Sequence, residues 1–208
     1  MEEWQYKQIK ALDTIINPQW IYIDIGAAVG EMLQYFISRM SAGYAFEPNY
    51  INYSRLINQF NNNDNVTIIN KAVSDTNEQI KFWSNGSHMG NILGHGMDYQ
   101  PYTDFTIVEA ITLDSFLIDK SIDFIKIDIE GAEWKLFDGA KNSLASKLIV
   151  YQIEFHLDED WHNREILFDN NYDIYTLDFK KLKHTDPRPY QAILINRNDE
   201  RFKHILER

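Results

Sequence analysis

Apolar runs alternate with stretches of helical spacing along the first third of the chain. Residues 20–25, 43–47 and 66–70 are apolar runs that predict three strands. Residues 30–40 predict a helix between the first two strands, and a second helix is indicated by the spacing of Tyr53, Leu56, Ile57 and Phe60. This alternation of strands and helices predicts an α/β fold with a parallel sheet and helices on both faces.

The same alternation returns in the second half of the chain. Residues 122–128 and 148–155 predict strands with nearly continuous apolar cores, which suits a buried parallel sheet. Residues 172–178 and 190–196 are expected to pair as a C-terminal antiparallel hairpin. The other predicted elements are an edge strand at 78–83, a strand at 105–111, a short helix at 132–137 ending near Gly139, and a helix at 161–169.

The length of 208 residues predicts a single domain, with residues 1–18 as an N-terminal helical extension. Residues 84–104 form a glycine-rich insert that carries His88 and His95 among polar residues. A connection of this length inside a domain is typical of a functional loop, and we expect the insert near the substrate site.

Charge and composition narrow the classes of partner. A formal net charge of -11 disfavours binding to nucleic acid or to anionic lipid, because phosphate groups are repelled. The absence of cysteine excludes disulfides and thiolate chemistry. No apolar run has the length of a membrane span, and the N-terminus lacks the apolar segment of a secretory signal. We therefore expect a cytoplasmic protein that does not act on nucleic acid.

A glycine loop, Asp24-x-Gly26-Ala27-x-x-Gly30, lies between the first predicted strand and the following helix. Gly26 permits a tight turn and a close approach of the backbone to a ligand. The loop lacks the three-glycine spacing of dinucleotide-binding folds, which argues against a nicotinamide-dependent oxidoreductase. The carboxylate of Asp24 before the turn favours a ligand with a positive end and no phosphate, a description that S-adenosylmethionine fits.

Glu47 ends the second predicted strand. In nucleoside-binding Rossmann-type folds, an acidic side chain at this position accepts the protons of the ribose hydroxyls. The alternative is an ordinary strand–turn–helix junction with a surface glutamate. The combination of the glycine loop and Glu47 favours the cofactor interpretation.

Three blocks of sequence resemble the FkbM family of S-adenosylmethionine-dependent methyltransferases. The blocks are 23–30, 45–48 followed by 70–75, and 122–133, of which the last is the most specific. The resemblance implies a Rossmann-like class I methyltransferase fold with a seven-stranded sheet. It also implies O-methylation of a hydroxyl group on a sugar or a natural product.

The resemblance implies cofactor contacts residue by residue. The loop from Gly26 to Gly30, with Ala27, would contact the methionine part, Glu47 the ribose, and the loop with Lys71 and Ala72 the adenine side. The family commonly has asparagine where this chain has Ala28, so the loop would keep its backbone role without that side chain.

Carboxylates end four of the predicted strands: Asp24, Glu47, Asp128 and Glu154. Since ligands bind beyond the carboxyl ends of parallel strands, we expect these side chains at one rim, with Asp128 facing the cofactor's ammonium or the acceptor hydroxyl. Methyl transfer to an alcohol needs a proton acceptor, for which the candidates are Asp128, Glu130, Glu154 and His156. Of these, His156 is the side chain that ordinarily titrates near neutral pH.

Structural interpretations stand beside these roles. In these alternatives, Lys126, inside an apolar strand, pairs with a buried carboxylate, Glu130 caps the next helix, and His156 is only a loop residue. Asp128, Glu154 and His156 also suit a divalent metal, although their spacing is not that of a dedicated metal motif.

Two other functions are weighed against O-methylation of a small molecule. An RNA ribose 2′-O-methyltransferase usually has a Lys-Asp-Lys-Glu arrangement, and Asp128 has no lysine partners after the later strands. A non-catalytic module that binds S-adenosylmethionine is disfavoured because Asp24, Glu47 and Asp128 are all present. The sequence therefore predicts an S-adenosylmethionine-dependent O-methyltransferase.

Overall fold

The protein is described here by a computed structural model that covers residues 3–84, 90–95 and 101–206. The strands are β1 (Ile21–Ile25), β2 (Ala42–Phe46), β3 (Val66–Ile69), β4 (Ala72–Ser74), β5 (Gln79–Trp83), β6 (Phe105–Thr112), β7 (Phe124–Ile127), β8 (Val150–Glu154), β9 (Tyr172–Tyr175) and β10 (Gln191–Asn196). The α-helices are α1 (Glu3–Leu12), α2 (Glu31–Ile37), α3 (Tyr50–Phe60), α4 (Leu113–Phe116), α5 (Glu133–Asp138), α6 (Lys141–Ser146), α7 (Glu165–Asp169) and α8 (Lys203–Leu206), with 3-10 helices at Glu159–Arg164 and Glu200–Phe202.

The main sheet has seven strands in the order β3-β2-β1-β7-β8-β10-β9. The first five strands in this order are parallel to one another, and β10 runs antiparallel to both β8 and β9. This topology confirms the predicted Rossmann-like fold with its mostly parallel sheet and C-terminal antiparallel pair. A second, three-stranded sheet in the order β4-β6-β5 contains the two strands predicted at 78–83 and 105–111.

Apolar layers cover both faces of the main sheet. Successive residues of β1 divide between two buried clusters, with Tyr22 in one cluster and Ile23 in the other. Two faces of this kind are expected of a parallel sheet that helices cover on each side. None of the helices in the described ranges is both long and apolar enough to cross a membrane.

Some predicted elements differ in detail. The helix predicted at 161–169 begins as the 3-10 helix Glu159–Arg164 and becomes α7 afterwards. The strand β4 and the helices α4 and α6 are too short for a periodic pattern to indicate them. Part of the 84–104 insert, including His88, lies outside the described residues.

Gly139 ends α5 for a different reason from the one expected. Its φ of -87° is open to any residue, so no left-handed cap is needed. A Cβ at this position would lie 2.1 Å from the carbonyl oxygen of Ser74. The missing side chain therefore lets the end of α5 pack against β4.

A buried ammonium joins the two central strands. Asp24 and Lys126 are register partners on β1 and β7, with side chains that are 0% and 6% exposed. The Nζ atom of Lys126 lies 3.4 Å from Asp24 Oδ1 and 3.3 Å from Asp128 Oδ2, and it donates to the carbonyl oxygen of Gly26 at 3.1 Å. Burial opposes the charge, but the two carboxylates outweigh it and raise the pKa of Lys126. The expected pairing of Lys126 with a buried carboxylate is confirmed.

We expect Lys126→Met to lower the free energy of unfolding by about 3–5 kcal/mol, because it leaves the Asp24 carboxylate buried without a cation. The double variant Lys126→Met with Asp24→Asn removes both charges, and its free energy of unfolding should fall clearly less than that of the single variant. Urea denaturation followed by circular dichroism measures both. The control is Lys141→Met, which breaks an exposed pair with Asp138 and should cost about 1 kcal/mol or less. Equal losses in the single and double variants would contradict the expectation.

Candidate active site

A cleft opens at the carboxyl ends of β1, β2 and β7. The chain continues from β1 outwards to β2 and β3 and then returns to β7 on the other side of β1, and such a reversal of strand order is where α/β sheets bind ligands. Six predicted site residues line this cleft: Gly26, Glu47, Lys71, Ala72, Asp128 and Glu130. Five others are not part of its wall: Asp24, Ala27, Gly30, Glu154 and His156.

The turn after β1 passes close to the end of β7. Gly26 has a φ of +80°, and a Cβ there would lie 1.9 Å from the carbonyl oxygen of Asp128. The backbone N–H groups of Gly26 and Ala27 both donate to the carbonyl oxygen of Phe46, at 3.0 and 3.1 Å. Glycine is required at position 26, because a side chain would separate the loop from the strand that carries Asp128.

Two further residues of this loop have left-handed backbone. Ala28 has a φ of +47°, a region that asparagine enters more readily than alanine. Gly30 has a φ of +88° and caps α2, and a Cβ there would approach Leu56 and Phe60 of α3 to within 3 Å, at 2.8 and 2.9 Å. Gly30 therefore packs the start of α2 against α3 instead of facing the cleft.

Asp24 points away from the cleft. Its carboxylate is fully buried, and its compensating charge is the ammonium of Lys126. We expected this carboxylate to meet the positive end of the cofactor. In the structure it instead holds Lys126 beneath the turn, where the lysine binds Gly26 and Asp128.

Glu47 lies on the cleft wall with both carboxylate oxygens oriented by backbone donors. Its Oε2 accepts a hydrogen bond from the N–H of Ala28 and its Oε1 one from the N–H of Asn49, both at 2.8 Å. Burial raises the pKa of Glu47 to about 7, although these hydrogen bonds oppose the shift. The next loop is attached here too, because the side-chain amide of Asn70 donates to the carbonyl oxygens of Glu47 and Pro48.

Lys71 and Ala72 form the opposite part of the wall. The ammonium of Lys71 pairs with Glu109 Oε2 at 2.8 Å, and Ala72 is buried at the start of β4. These contacts hold the predicted adenine-side loop in place beside the apolar side chains of Phe46 and Val73, which also line the cleft.

The imidazole of His156 lies within 4 Å of the three other predicted catalytic residues, Asp128, Glu130 and Glu154. Its Nδ1 lies 2.8 Å from Glu133 Oε1, and its Nε2 lies 3.5 Å from Glu154 Oε1, 3.8 Å from Asp128 Oδ1 and 3.9 Å from Glu130 Oε2. Burial opposes a charge on the ring, but hydrogen bonds to Glu133 and Glu154 outweigh it and raise the pKa of His156 to about 10. This differs from the expected titration near neutral pH, because the ring is surrounded by carboxylates.

Glu130 does not cap the following helix. The first turn of α5 begins at Ala132 without a side-chain cap, and Glu130 itself has a φ of +57°. Its carboxylate lines the cleft, and burial raises its pKa. Its carbonyl oxygen accepts a hydrogen bond from Asn91 of the insert at 3.0 Å.

Four residues of the site were not assigned a role from the sequence: Asn91, Glu133, Tyr190 and Gln191. Glu133 carried a signal, since it lies in the 122–133 block. The hydroxyl of Tyr190 and the amide of Gln191 both donate to Glu154. Gln191 is the register partner of Glu154 across the antiparallel pair, a relation that periodicity alone does not specify. Although burial opposes it, hydrogen bonds from His156, Tyr190 and Gln191 lower the pKa of Glu154.

The residues that line the cleft suit the chemistry of S-adenosylmethionine. The close approach at Gly26 leaves a backbone cradle, and apolar side chains flank it on the side of Phe46 and Val73. The carboxylates of Glu47 and Asp128 line the same cleft, which suits ribose hydroxyls and positive charge.

Comparisons with known proteins agree with this geometry. Residues 24–185 match the model of the methyltransferase FkbM domain. Among solved structures, the FkbM methyltransferase of Methylobacillus flagellatus KT is 20% identical with a TM-score of 0.55, over 86% of this chain and 44% of that chain. This chain therefore spans less than half the length of that relative. The comparison with curated proteins gives no significant match.

Two further solved structures share the fold. An rRNA methylase from Streptococcus thermophilus is 10% identical with a TM-score of 0.53, over 94% of this chain and 98% of that chain. TrmK from M. capricolum, in complex with the cofactor product S-adenosylhomocysteine, is 15% identical with a TM-score of 0.54, over 95% and 69% of the two chains. The family match covers the glycine loop, Glu47 and the whole acidic cluster around His156, and the chain belongs to the FkbM methyltransferase domain family.

Proposed function

We propose that the protein transfers the methyl group of S-adenosylmethionine to a hydroxyl oxygen of a sugar, a glycan or a small metabolite. The observation that carries this proposal is that the glycine turn, Glu47 and the acidic pair Asp128 and Glu130 line one cleft. A cofactor-binding half and a proton-accepting half thus face the same space.

The cofactor half is assigned from the wall residues. The turn at Gly26 would receive the methionine part, Glu47 the ribose hydroxyls, and the wall formed by Lys71 and Ala72 the adenine. Asp128, at the end of β7 beside the turn, would face the cofactor's ammonium. When bound, the cofactor supplies a methyl group on a sulfonium, which is already electrophilic.

The acceptor half provides a place for the hydroxyl proton. The proton of the acceptor hydroxyl would pass to the carboxylate of Glu130, the oxygen would form a bond to the methyl carbon, and the carbon–sulfur bond would break to leave S-adenosylhomocysteine. A positioned base of this kind contributes about 100- to 10,000-fold. His156 already carries its proton at neutral pH and acts as a positioning residue that holds the carboxylates of Asp128 and Glu130 together.

The charge of the acceptor half favours a neutral acceptor. Asp128 and Glu130 line it, while the compensating cations Lys126 and His156 are buried. A phosphate group would meet this negative surface at short range, which is unfavourable in a partly desolvated cleft. Together with the net charge of -11, this favours a neutral hydroxyl compound over RNA.

S-adenosylhomocysteine should bind more weakly as the pH falls below about 7. Glu47 has a pKa of about 7, and only its ionised form accepts hydrogen bonds from both ribose hydroxyl groups. We expect Kd to rise by up to about tenfold per pH unit in calorimetric titrations between pH 7 and pH 5.5. Folding is not lost through this group in that range, because a raised folded-state pKa favours the protonated folded form.

The matched variant is Glu47→Gln, which cannot titrate. It should bind S-adenosylhomocysteine about 10- to 100-fold more weakly at pH 8 and show no pH dependence between pH 5.5 and pH 8. A variant with the same pH slope as the unmodified protein would remove Glu47 as the ribose contact.

A screen of neutral sugars, their phosphate esters and RNA with labelled cofactor, read by mass spectrometry, tests the acceptor class. We expect methylated products among the neutral compounds. Glu130→Gln should lower turnover of the best acceptor at least about 100-fold and leave the Kd of S-adenosylhomocysteine nearly unchanged. Glu165→Gln, at an exposed position of α7, is the control and should keep full turnover. Preferential methylation of RNA or of phosphate esters would refute the proposed acceptor class.

A further inference from the structure

We propose that Asp128, Glu130 and His156 form a binding site for a divalent cation in the wall of the cleft. The proposal rests on the proposed function, because the cation would hold the acceptor hydroxyl next to the methyl group. It goes further in naming an ion, its three ligands and the side of the cleft on which the acceptor binds.

The ligand atoms are spaced for a shared ion. One oxygen of Asp128, one oxygen of Glu130 and a ring nitrogen of His156 all lie within 4.8 Å of one another. The Nε2 atom is 3.8 Å from Asp128 Oδ1 and 3.9 Å from Glu130 Oε2, longer than an ordinary hydrogen bond of about 2.7–3.2 Å. Neighbouring ligands of an octahedral ion with metal bonds of about 2.1 Å are roughly 3.0 Å apart, so Nε2 and the two carboxylate oxygens would move closer by about 1 Å when the ion binds.

A second observation is the orientation of the imidazole. The side chains of His156 and Glu133 are 2% and 1% exposed, and Glu133 Oε1 lies 2.8 Å from Nδ1, so Nε2 faces the three other carboxylates, Glu154 at 3.5 Å, Asp128 at 3.8 Å and Glu130 at 3.9 Å. Glu133 Oε1 also accepts the N–H of Gly131 at 3.0 Å. Metal-binding histidines characteristically use their other ring nitrogen to contact a carboxylate in this way.

The neighbouring acid has other partners. Both oxygens of Glu154 accept hydrogen bonds, one from the hydroxyl of Tyr190 and one from the amide of Gln191. Glu154 is therefore assigned to the surroundings of the site and not to its ligands. Asp128 and Glu130 have side chains that are 29% and 28% exposed and line the cleft, so the open coordination positions face the acceptor.

Two carboxylates and one imidazole suit a hard or intermediate divalent ion such as Mg²⁺ or Mn²⁺, which would replace the proton that His156 carries on Nε2 when no ion is bound. A hydroxyl group bound to such an ion loses its proton more readily, because the ion stabilises the negative charge that develops on oxygen. The bonds formed and broken in the methyl transfer would be those of the proposed function, but the hydroxyl proton would be released to solvent water and would not pass to Glu130.

The test uses Mn²⁺ with the full chain, and measures loss of the electron paramagnetic resonance signal of free aqueous Mn²⁺. We expect one Mn²⁺ per chain. His156→Ala and Glu130→Gln should each weaken this binding by more than about tenfold. His184→Ala is the matched control, because His184 and Glu165 form an exposed histidine–carboxylate pair with Nδ1 3.2 Å from Oε2, and it should bind Mn²⁺ as the unmodified chain does.

Circular dichroism verifies that each variant is folded, and S-adenosylhomocysteine binding verifies the cleft in His156→Ala and Glu130→Gln. Asp128→Asn, checked by circular dichroism alone, serves as a conservative substitute if either variant fails to fold. Absence of Mn²⁺ binding, or equal binding in the variants and the control, overturns the cation site. Full-rate methyl transfer in the presence of a chelator also overturns it and leaves the proposed function standing. Mn²⁺ binding without S-adenosylhomocysteine binding would instead refute the proposed function and support the cation site.

Discussion

The buried ammonium of Lys126 is the contact on which the geometry of the cleft depends. It lies between Asp24 of β1, the carbonyl oxygen of Gly26 and the carboxylate of Asp128, so it links the cofactor turn to the end of β7. The two segments come so close that only glycine fits at position 26. The cofactor turn and the first residue of the acidic cluster therefore form one structural unit.

From Asp128 onwards, charge organises the site. Glu130 reaches the cleft through a left-handed backbone, Glu133 turns back to orient His156, and Glu154 arrives from β8. Taking this many carboxylates out of water is costly unless cations compensate them. The buried cations Lys126 and His156 compensate part of this charge, and a metal ion bound between Asp128 and Glu130 would be a third cation.

Much of this arrangement could be predicted from the sequence because it follows from strand ends. Asp128 and Glu47 follow apolar strands, and parallel strands bring their carboxyl ends to one edge. The burial of Asp24 against Lys126 could not be predicted, since this pairing depends on the register of β1 and β7. The charge of His156 depends on the hydrogen bonds to Glu133 and Glu154 that outweigh its burial, and a periodic pattern does not contain these contacts.

The two halves of the cleft are built from different parts of the chain and can therefore vary separately. The cofactor half comes from consecutive elements, β1 to β4, whose loops are tied to one another near Glu47. The proposed acceptor half combines the end of β7 with the insert, because Asn91 bonds to the carbonyl oxygen of Glu130 and also to that of His95. A change in the insert would reach Glu130 through Asn91, whereas Glu47 is held by Ala28 and Asn49, so under the proposed function the insert would alter acceptor specificity more than cofactor binding.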